Sequence, residues 1–281
     1  MTKIVLVVQC HDRPGIVHAT TGAILALGGN ILESHQYRDE LSDDFVLRVT
    51  FETSEASKVR AGERLREDLA EFEPVLRLRT QDEPYRVLLM VSKIDHCLID
   101  LLYRHQIGEL AVEIPLIISN HRDLEPVAQA YNIPFACIPV TPEGKGVAEA
   151  EILRLIDENS IDLVVLARYM QILSDEMCNE LPGRIINIHH SFLPGFKGAK
   201  PYQQAYQRGV KLIGASAHYA TGDLDEGPII EQDVVRVTHV HDAAELQALG
   251  RDVERRVLAK AVRLHIEDRL VVVNDRTIVF E

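Results

Sequence analysis

The sequence predicts an α/β protein of two domains. The first, over residues 1–83, is a βαββαβ unit. The second, over residues 84–281, is a mostly parallel, doubly wound sheet. Three observations predict this. Strands and helices alternate as β-α-β-β-α-β up to Arg79. A polar stretch, Thr80-Gln81-Asp82-Glu83-Pro84, then breaks the pattern. Beyond it, continuous apolar runs alternate with helical segments, as in strands buried on both faces.

In order, Lys3–Cys10 is a β-branched apolar strand. Pro14 suits the first turn of a helix, where its missing N–H costs nothing, and Ile16, Val17, Thr20, Ile24 and Leu27 follow with helical spacing. Gly28-Gly29 stops that helix. Asn30–Tyr37 and Asp44–Phe51 read as two strands around a polar turn. Lys58–Phe72 is an amphipathic helix and Val75–Arg79 the closing strand, a ferredoxin-like order.

After the linker, the strands are Arg86–Val91, Ile114–Ser119, Phe135–Pro139, Leu163–Ala167 and Arg184–Ile188. The helices between them are Cys97–Tyr103, Asp123–Tyr131 and Gly146–Glu158. This is a Rossmann-like succession. Lys211–His218 and Ile229–Val235 leave little room for a crossover helix and predict an antiparallel or mixed extension. Ala243–Ile266 is a long helix with Asp242 as its cap, and Leu270–Val273 with Arg276–Phe280 makes a hairpin about Asn274-Asp275.

Composition narrows the function. A net charge of −13 repels nucleic acid and anionic membranes. No run of about 18 apolar residues exists to span a bilayer, and the N-terminus reads as a strand rather than a signal peptide. Cys10, Cys97, Cys137 and Cys178 are scattered without a CxxC pair, as in reduced thiols of a cytoplasmic protein.

Residues 187–228 concentrate the chemistry. Asn187 and His189 are two apart at a strand end, so they face one side. An amide and an imidazolium aimed at one point stabilise a developing oxyanion, and the imidazolium can protonate a leaving amine. Asp225, in the acidic loop Gly222–Gly227, can hold the imidazole charged and orient a nucleophile. His218 lies in the same stretch, and His190 is expected to point away from His189. Ser191 lacks the surroundings of a nucleophile elbow. A metallohydrolase using His189, His190, His218 and Asp225, or His239 with His241, is a competing reading. Adjacent histidines that face opposite sides of a strand are poor ligands for it.

Two resemblances sharpen these readings. Asp12-Arg13-Pro14-Gly15-Ile16-Val17, within residues 4–83, resembles the ACT domain, a small regulatory module that binds amino acids. It implies a ligand site at Asp12, Arg13, Pro14, Gly15, Ile16 and Asn30; glycine or methionine are candidate effectors on metabolic grounds alone, as both are tied to one-carbon supply. It also implies pairing of front domains into a homodimer or homotetramer. Asn187–Pro194, Gly195-Phe196-Lys197-Gly198 and Leu224–Pro228 resemble the signature of the folate-dependent formyltransferase fold, and Leu166–Ser174 resembles its folate-pocket segment. That resemblance implies that Asn187, His189 and Asp225 are catalytic, with His218 and His190 supporting. It implies folate binding by Met170, Gln171, Ile172, Leu173, Thr221, Gly222 and Asp223, with no metal and no cofactor. The Gly-Ser-Asn phosphate cradle of the glycinamide ribonucleotide enzymes is replaced by Ser92-Lys93-Ile94-Asp95-His96. Asp95 would repel a phosphate there. The expected activity is therefore hydrolysis of 10-formyltetrahydrofolate to tetrahydrofolate and formate. This would balance one-carbon folate pools and supply formate for purine synthesis. A formyltransferase acting on an amine is the alternative.

Overall fold

The computed structural model describes residues 1–195 and 201–281. Phe196, Lys197 and Gly198 of the signature lie outside the described residues. The chain forms two compact units that part at Pro84.

Unit 1 contains β1 (Thr2–His11), α1 (Ile16–Ala26), β2 (Asn30–Asp39), β3 (Asp44–Thr53), α2 (Glu55–Asp68) and β4 (Val75–Thr80). The sheet is antiparallel with order β2-β3-β1-β4. Ile4, Leu6 and Val8 of β1 pack with Ile16 and Ile24 of α1 and Leu65 of α2, which explains the alternate apolar positions of the strand. The intervening Val7 is also buried, so β1 reads as a continuous apolar run. The helix predicted over 58–72 ends at Asp68 and continues only as a short 3₁₀ turn, Ala70–Phe72.

Unit 2 contains β5 (Tyr85–Val91), α3 (His96–Gln106), β6 (Val112–Ser119), α4 (Glu125–Ala130), β7 (Phe135–Cys137), α5 (Lys145–Glu158), β8 (Leu163–Leu166), α6 (Asp175–Glu180), β9 (Ile185–His189), α7 (Pro201–Arg208), β10 (Leu212–Tyr219), β11 (Ile229–Arg236) and α8 (Ala243–Ile266). Its sheet runs β11-β10-β9-β8-β5-β6-β7. From β9 to β7 neighbouring strands are parallel, whereas β10 and β11 extend the sheet antiparallel. The order reverses between β5 and β8, the point at which doubly wound sheets open a crevice. Leu88, Met90, Val164 and Leu166 pack with Ile152 and Ile156 of α5. α8 starts at a reciprocal cap: Asp242 accepts from Glu245 N at 2.8 Å, and the Glu245 carboxylate accepts from Asp242 N at 2.8 Å. It packs against α3, β9, β10 and β11. No described helix is long and apolar enough to cross a membrane.

The hairpin β12 (Leu270–Val273) and β13 (Arg276–Val279) departs from the sequence-based boundary. Although residues 84–281 are predicted as one domain, Asp268–Asn274 and Ile278–Glu281 fall in unit 1. Val271, Val273 and Phe280 pack on Val7 and Val46, the second face of β1 and β3. Arg48, 2% exposed, ties this layer down: its Nε donates to Asp268 O at 2.9 Å and its Nη1 to Glu33 at 2.7 Å. Apolar burial of this second sheet face, not proximity in sequence, decides where the hairpin lies.

Candidate active site

The carboxyl ends of β8 and β9 and the β10–β11 loop border a mostly apolar cleft of about 400 Å³. Asn187 and His189 are the third and fifth residues of β9 and both line it. Antiparallel pairing sets His218 of β10 directly opposite Asn187, beside a register shift at Ala217/His218. The Asn187 amide lies 3.1 Å from His218 Nε2. His218 Nδ1 is 2.9 Å from Tyr219 O. A carbonyl only accepts, so Nδ1 carries the proton. In neutral His218, Nε2 then accepts one amide hydrogen of Asn187 and leaves the other for a ligand.

Asp225 closes the group. Its Oδ1 is 3.1 Å from His189 Nδ1 and 3.6 Å from His218 Nε2. Burial pushes its carboxyl up, but the neighbouring imidazoles, His189 foremost through its hydrogen bond, outweigh this and hold it well below its ordinary value. The loop is pinched to deliver it. Tyr219 N donates to Pro228 O at 3.0 Å, and a Cβ on Gly227 would stand 1.8 Å from Tyr219 O, so only glycine fits. Asp225 itself adopts φ 58, a left-handed conformation that aspartate tolerates better than most residues other than glycine and asparagine.

His190 corrects an expectation. It does not turn away: its ring meets that of His189 edge-on at 5.0 Å, and both line the cleft. β9 ends at His189, so strand alternation no longer applies. Burial, then the Arg168 charge, push the His190 imidazole down to about 4, which keeps it neutral. A second, apolar cavity of about 370 Å³ also has His190 in its wall.

The expected folate residues Met170, Gln171, Ile172, Leu173, Thr221 and Gly222 all line the cleft. Asp223 does not, and the neighbouring Leu224 does. The Asp223 carbonyl instead takes the Thr221 hydroxyl at 3.2 Å and Glu226 N at 3.3 Å within the loop. The 168–174 segment is held by Ser92, whose hydroxyl accepts from Met170 N at 2.9 Å and donates to Asn120 at 2.7 Å. At its far end Glu149 accepts from Ser174 N at 2.9 Å. Met170, Ile172 and Leu224 are more than half exposed and give the cleft an apolar rim suited to a flat aromatic ligand.

Residues 85–262 match the family model described as formyl transferase, and residues 4–69 match the ACT domain. The formyltetrahydrofolate deformylase of Synechocystis sp. is 49% identical over 280 residues, covering 98% of this chain and 97% of the relative. The chain belongs to the formyltetrahydrofolate deformylase family. A crystal structure of the deformylase from Burkholderia mallei superposes with a TM-score of 0.96 at 44% identity, covering 100% of both chains. Glycinamide ribonucleotide transformylase 1 from Symbiobacterium toebii is more distant: TM-score 0.67, 29% identity, 73% of this chain and 98% of that one.

In this deformylase-family chain the ACT candidates sit at the β1–α1 turn. Gly15 caps α1 with φ 105, so the helix begins after Pro14 rather than at it. Asp12 pairs with Arg38 at 2.9 Å, Arg13 lies over the Phe72 ring at 4.8 Å, and Asn30 donates to Glu52 at 3.4 Å. Ile16 is buried.

A second polar cluster escaped the sequence reading. Glu254 of α8 joins His96, Tyr202 and Arg168, residues up to 158 positions away that no local motif links. His96, Cys97 and Glu254 also bring three metal-ligating atom types within 4.8 Å. That donor set is occupied in other ways. Glu254 bonds His96 and Tyr202, the Arg168 cation lies 3.5 Å away, and burial drives the Cys97 thiol well up. His239 and His241 lie outside the cleft lining, and His241 sits in the turn before α8, close to Thr238 N at 3.1 Å.

Proposed function

We propose that this protein hydrolyses 10-formyltetrahydrofolate to tetrahydrofolate and formate. The observation that carries the reading is the convergence of Asn187, His189 and Asp225 at one end of an apolar cleft. The pterin lies in the slot between Met170–Leu173 and the 221–225 loop. The free amide hydrogen of Asn187 and an imidazolium His189 draw charge onto the formyl oxygen. Nδ1 of His189 stays on Asp225, while Nε2, which has no hydrogen-bond partner among the described residues, serves the substrate.

Water oriented by Asp225 adds to the formyl carbon and passes a proton to the Asp225 carboxylate, which returns it to His189 once the nitrogen has left. The carbon–nitrogen bond then breaks as His189 protonates the departing nitrogen. The Asp225 carboxyl, held low by its neighbours, is ionised before the attack and so stands ready beside His189 at the start of the cycle. No residue acts as a covalent nucleophile in this scheme. His218 and His190 support the pair, the first by fixing the amide of Asn187 and the second as a neutral wall behind His189.

In this reading the enzyme sets the balance of one-carbon folates and provides formate for purine synthesis. The ACT unit receives an amino-acid effector at the β1–α1 turn and pairs with a second copy through its sheet edges, where unpaired backbone groups need a partner. The test is stoichiometric. Metal-free protein supplied with 10-formyltetrahydrofolate and no amine yields formate and tetrahydrofolate one for one. Turnover that starts only when an amine is added would make the protein a transferase.

A further inference from the structure

A doubly wound sheet opens its crevice where the strand order reverses, here between β5 and β8. The crevice has two sides. The open cleft occupies the side of β8, β9 and the β10–β11 loop. Among the described residues, none of 92–96 after β5 and none of α8 lines it.

That other side is filled with buried charge. The Glu254 carboxylate, 1% exposed, accepts from His96 Nε2 at 2.8 Å and from the Tyr202 hydroxyl at 2.6 Å, with Arg168 Nη1 at 3.5 Å. Burial pushes its carboxyl up. The His96 bond, the Arg168 charge and the Tyr202 bond reverse this, and its carboxyl lies below the ordinary value. The contact is built into α8: a Cβ on Gly250, one turn before Glu254, would stand 2.0 Å from the Tyr202 hydroxyl. Only glycine lets Tyr202 lie there.

Networks of this kind add little net stability, since desolvation offsets attraction, and their worth lies in fixing geometry. What this one fixes adjoins the reacting groups. Arg168 belongs both to the network and to the cleft wall. The Tyr202 ring meets that of His190 at 6.4 Å, and His190 meets His189 at 5.0 Å.

We propose that the Glu254–His96–Arg168–Tyr202 network determines the acceptor: it fills the half of the crevice that an amine would need and leaves water as the nucleophile. This rests on the hydrolytic reading given above. Hydrolysis and transfer share their bond changes. The nucleophile's lone pair forms a bond to the formyl carbon and the nucleophile loses a proton. The carbon–N10 bond breaks and N10 gains a proton. Water gives formate, and a primary amine gives its N-formyl derivative. Asn187, His189 and Asp225 serve both reactions equally, so chemistry does not choose between them. Space does: water takes about 30 Å³, whereas an amine brings its substituent as well.

The experiment supplies 10-formyltetrahydrofolate with and without glycinamide as the probe amine, and reads the ratio of N-formylglycinamide to formate. Wild type is expected to give formate with transfer below about one part in a hundred, the order of discrimination that exclusion from a pocket supplies. His96→Ala and Tyr202→Ala open the network from two separate elements. Each is expected to raise the ratio at least about tenfold, in proportion to glycinamide, with the KM for folate changed less than about threefold. Tyr202→Phe keeps the ring on Gly250 and removes only the hydroxyl, so it folds even where the larger deletions do not. It is expected to raise the ratio about threefold.

A folded variant that partitions as wild type does overturns the proposal. So does wild type that formylates glycinamide as fast as it releases formate. The two readings fail separately. No formate from wild type without amine refutes the hydrolase, whereas normal release with unchanged partition in the variants refutes only the acceptor network.

Discussion

Replacing Asn187 with alanine separates the chemical work of its amide from its structural work. Among the described residues the side chain makes one hydrogen bond, to His218 at 3.1 Å. A single such bond is worth about 1 kcal/mol to the fold. For a chain of this size that lowers Tm by about 2–4 °C. A donor aimed at a developing oxyanion is worth more, about 2.7–4 kcal/mol. At about 1.36 kcal/mol per decade this is a fall of about 100- to 1000-fold in kcat. The loss is confined to the transition state, so KM for the folate moves little. The assay is formate release at saturating 10-formyltetrahydrofolate, beside a thermal melt of the same preparation. Asn187→Ala with kcat within about tenfold of wild type would refute the oxyanion role. A melting point lower by more than about 10 °C would show that the amide is chiefly structural.

Other outcomes follow from the same geometry. Gly227→Ala places a Cβ 1.8 Å from Tyr219 O and should cost about 1–3 kcal/mol along with most of the activity, because the loop bearing Asp225 must shift. Gly146→Ala, on α5 with nothing within 4 Å, should instead stabilise by about 0.5–1 kcal/mol. If both variants melt alike, the steric account of Gly227 is wrong. Glu33 has its carboxyl drawn from 4.5 down to about 2, chiefly by its hydrogen bond from Arg48. Its stabilisation is therefore present above pH 4.5 and lost as pH falls toward 2. With a third of the side chain exposed, solvent screening leaves about 1 kcal/mol of it, and Glu33→Gln should lose that at pH 7 but not at pH 2. A difference that does not vary with pH would contradict the ion pair. Exhaustive chelation should leave formate release unchanged within about twofold, as no step of the scheme uses a metal's bound water; a loss restored by one added metal would overturn that.

Much of the fold was legible because burial writes itself into strand composition. β5 reads as unbroken apolar sequence since both its faces are covered, and β1 does so for the same reason. The identity of what covers β1 was not legible. The hairpin 270–279 carries an ordinary turn signal, and only the exposed second face of β1 and β3 decides that it packs there. The reacting groups were legible where spacing is local: Asn187 and His189 share a strand, and Asp225 stands in a glycine-bounded loop. Simple alternation misplaces His190 because the strand ends one residue before it. Loop position does not reveal which side chain turns inward: the Asp223 carbonyl is tied within the loop, and Leu224 lines the slot instead. The Glu254 network was invisible because its partners come from α3, α7, α8 and the end of β8, and a glutamate in the middle of a long helix looks like a solvated charge.

The most direct test of the central claim compares wild type with Asp225→Asn in formate release from 10-formyltetrahydrofolate, without amine and without metal. The side chains are nearly the same size, so the cleft keeps its shape while the carboxylate that pairs with His189 and His218 is gone. Rapid release by wild type and a loss of at least about 100-fold in the variant, with both proteins folded, is the predicted result. A variant that keeps turnover within about tenfold of wild type would contradict the mechanism, because water would then be activated without Asp225.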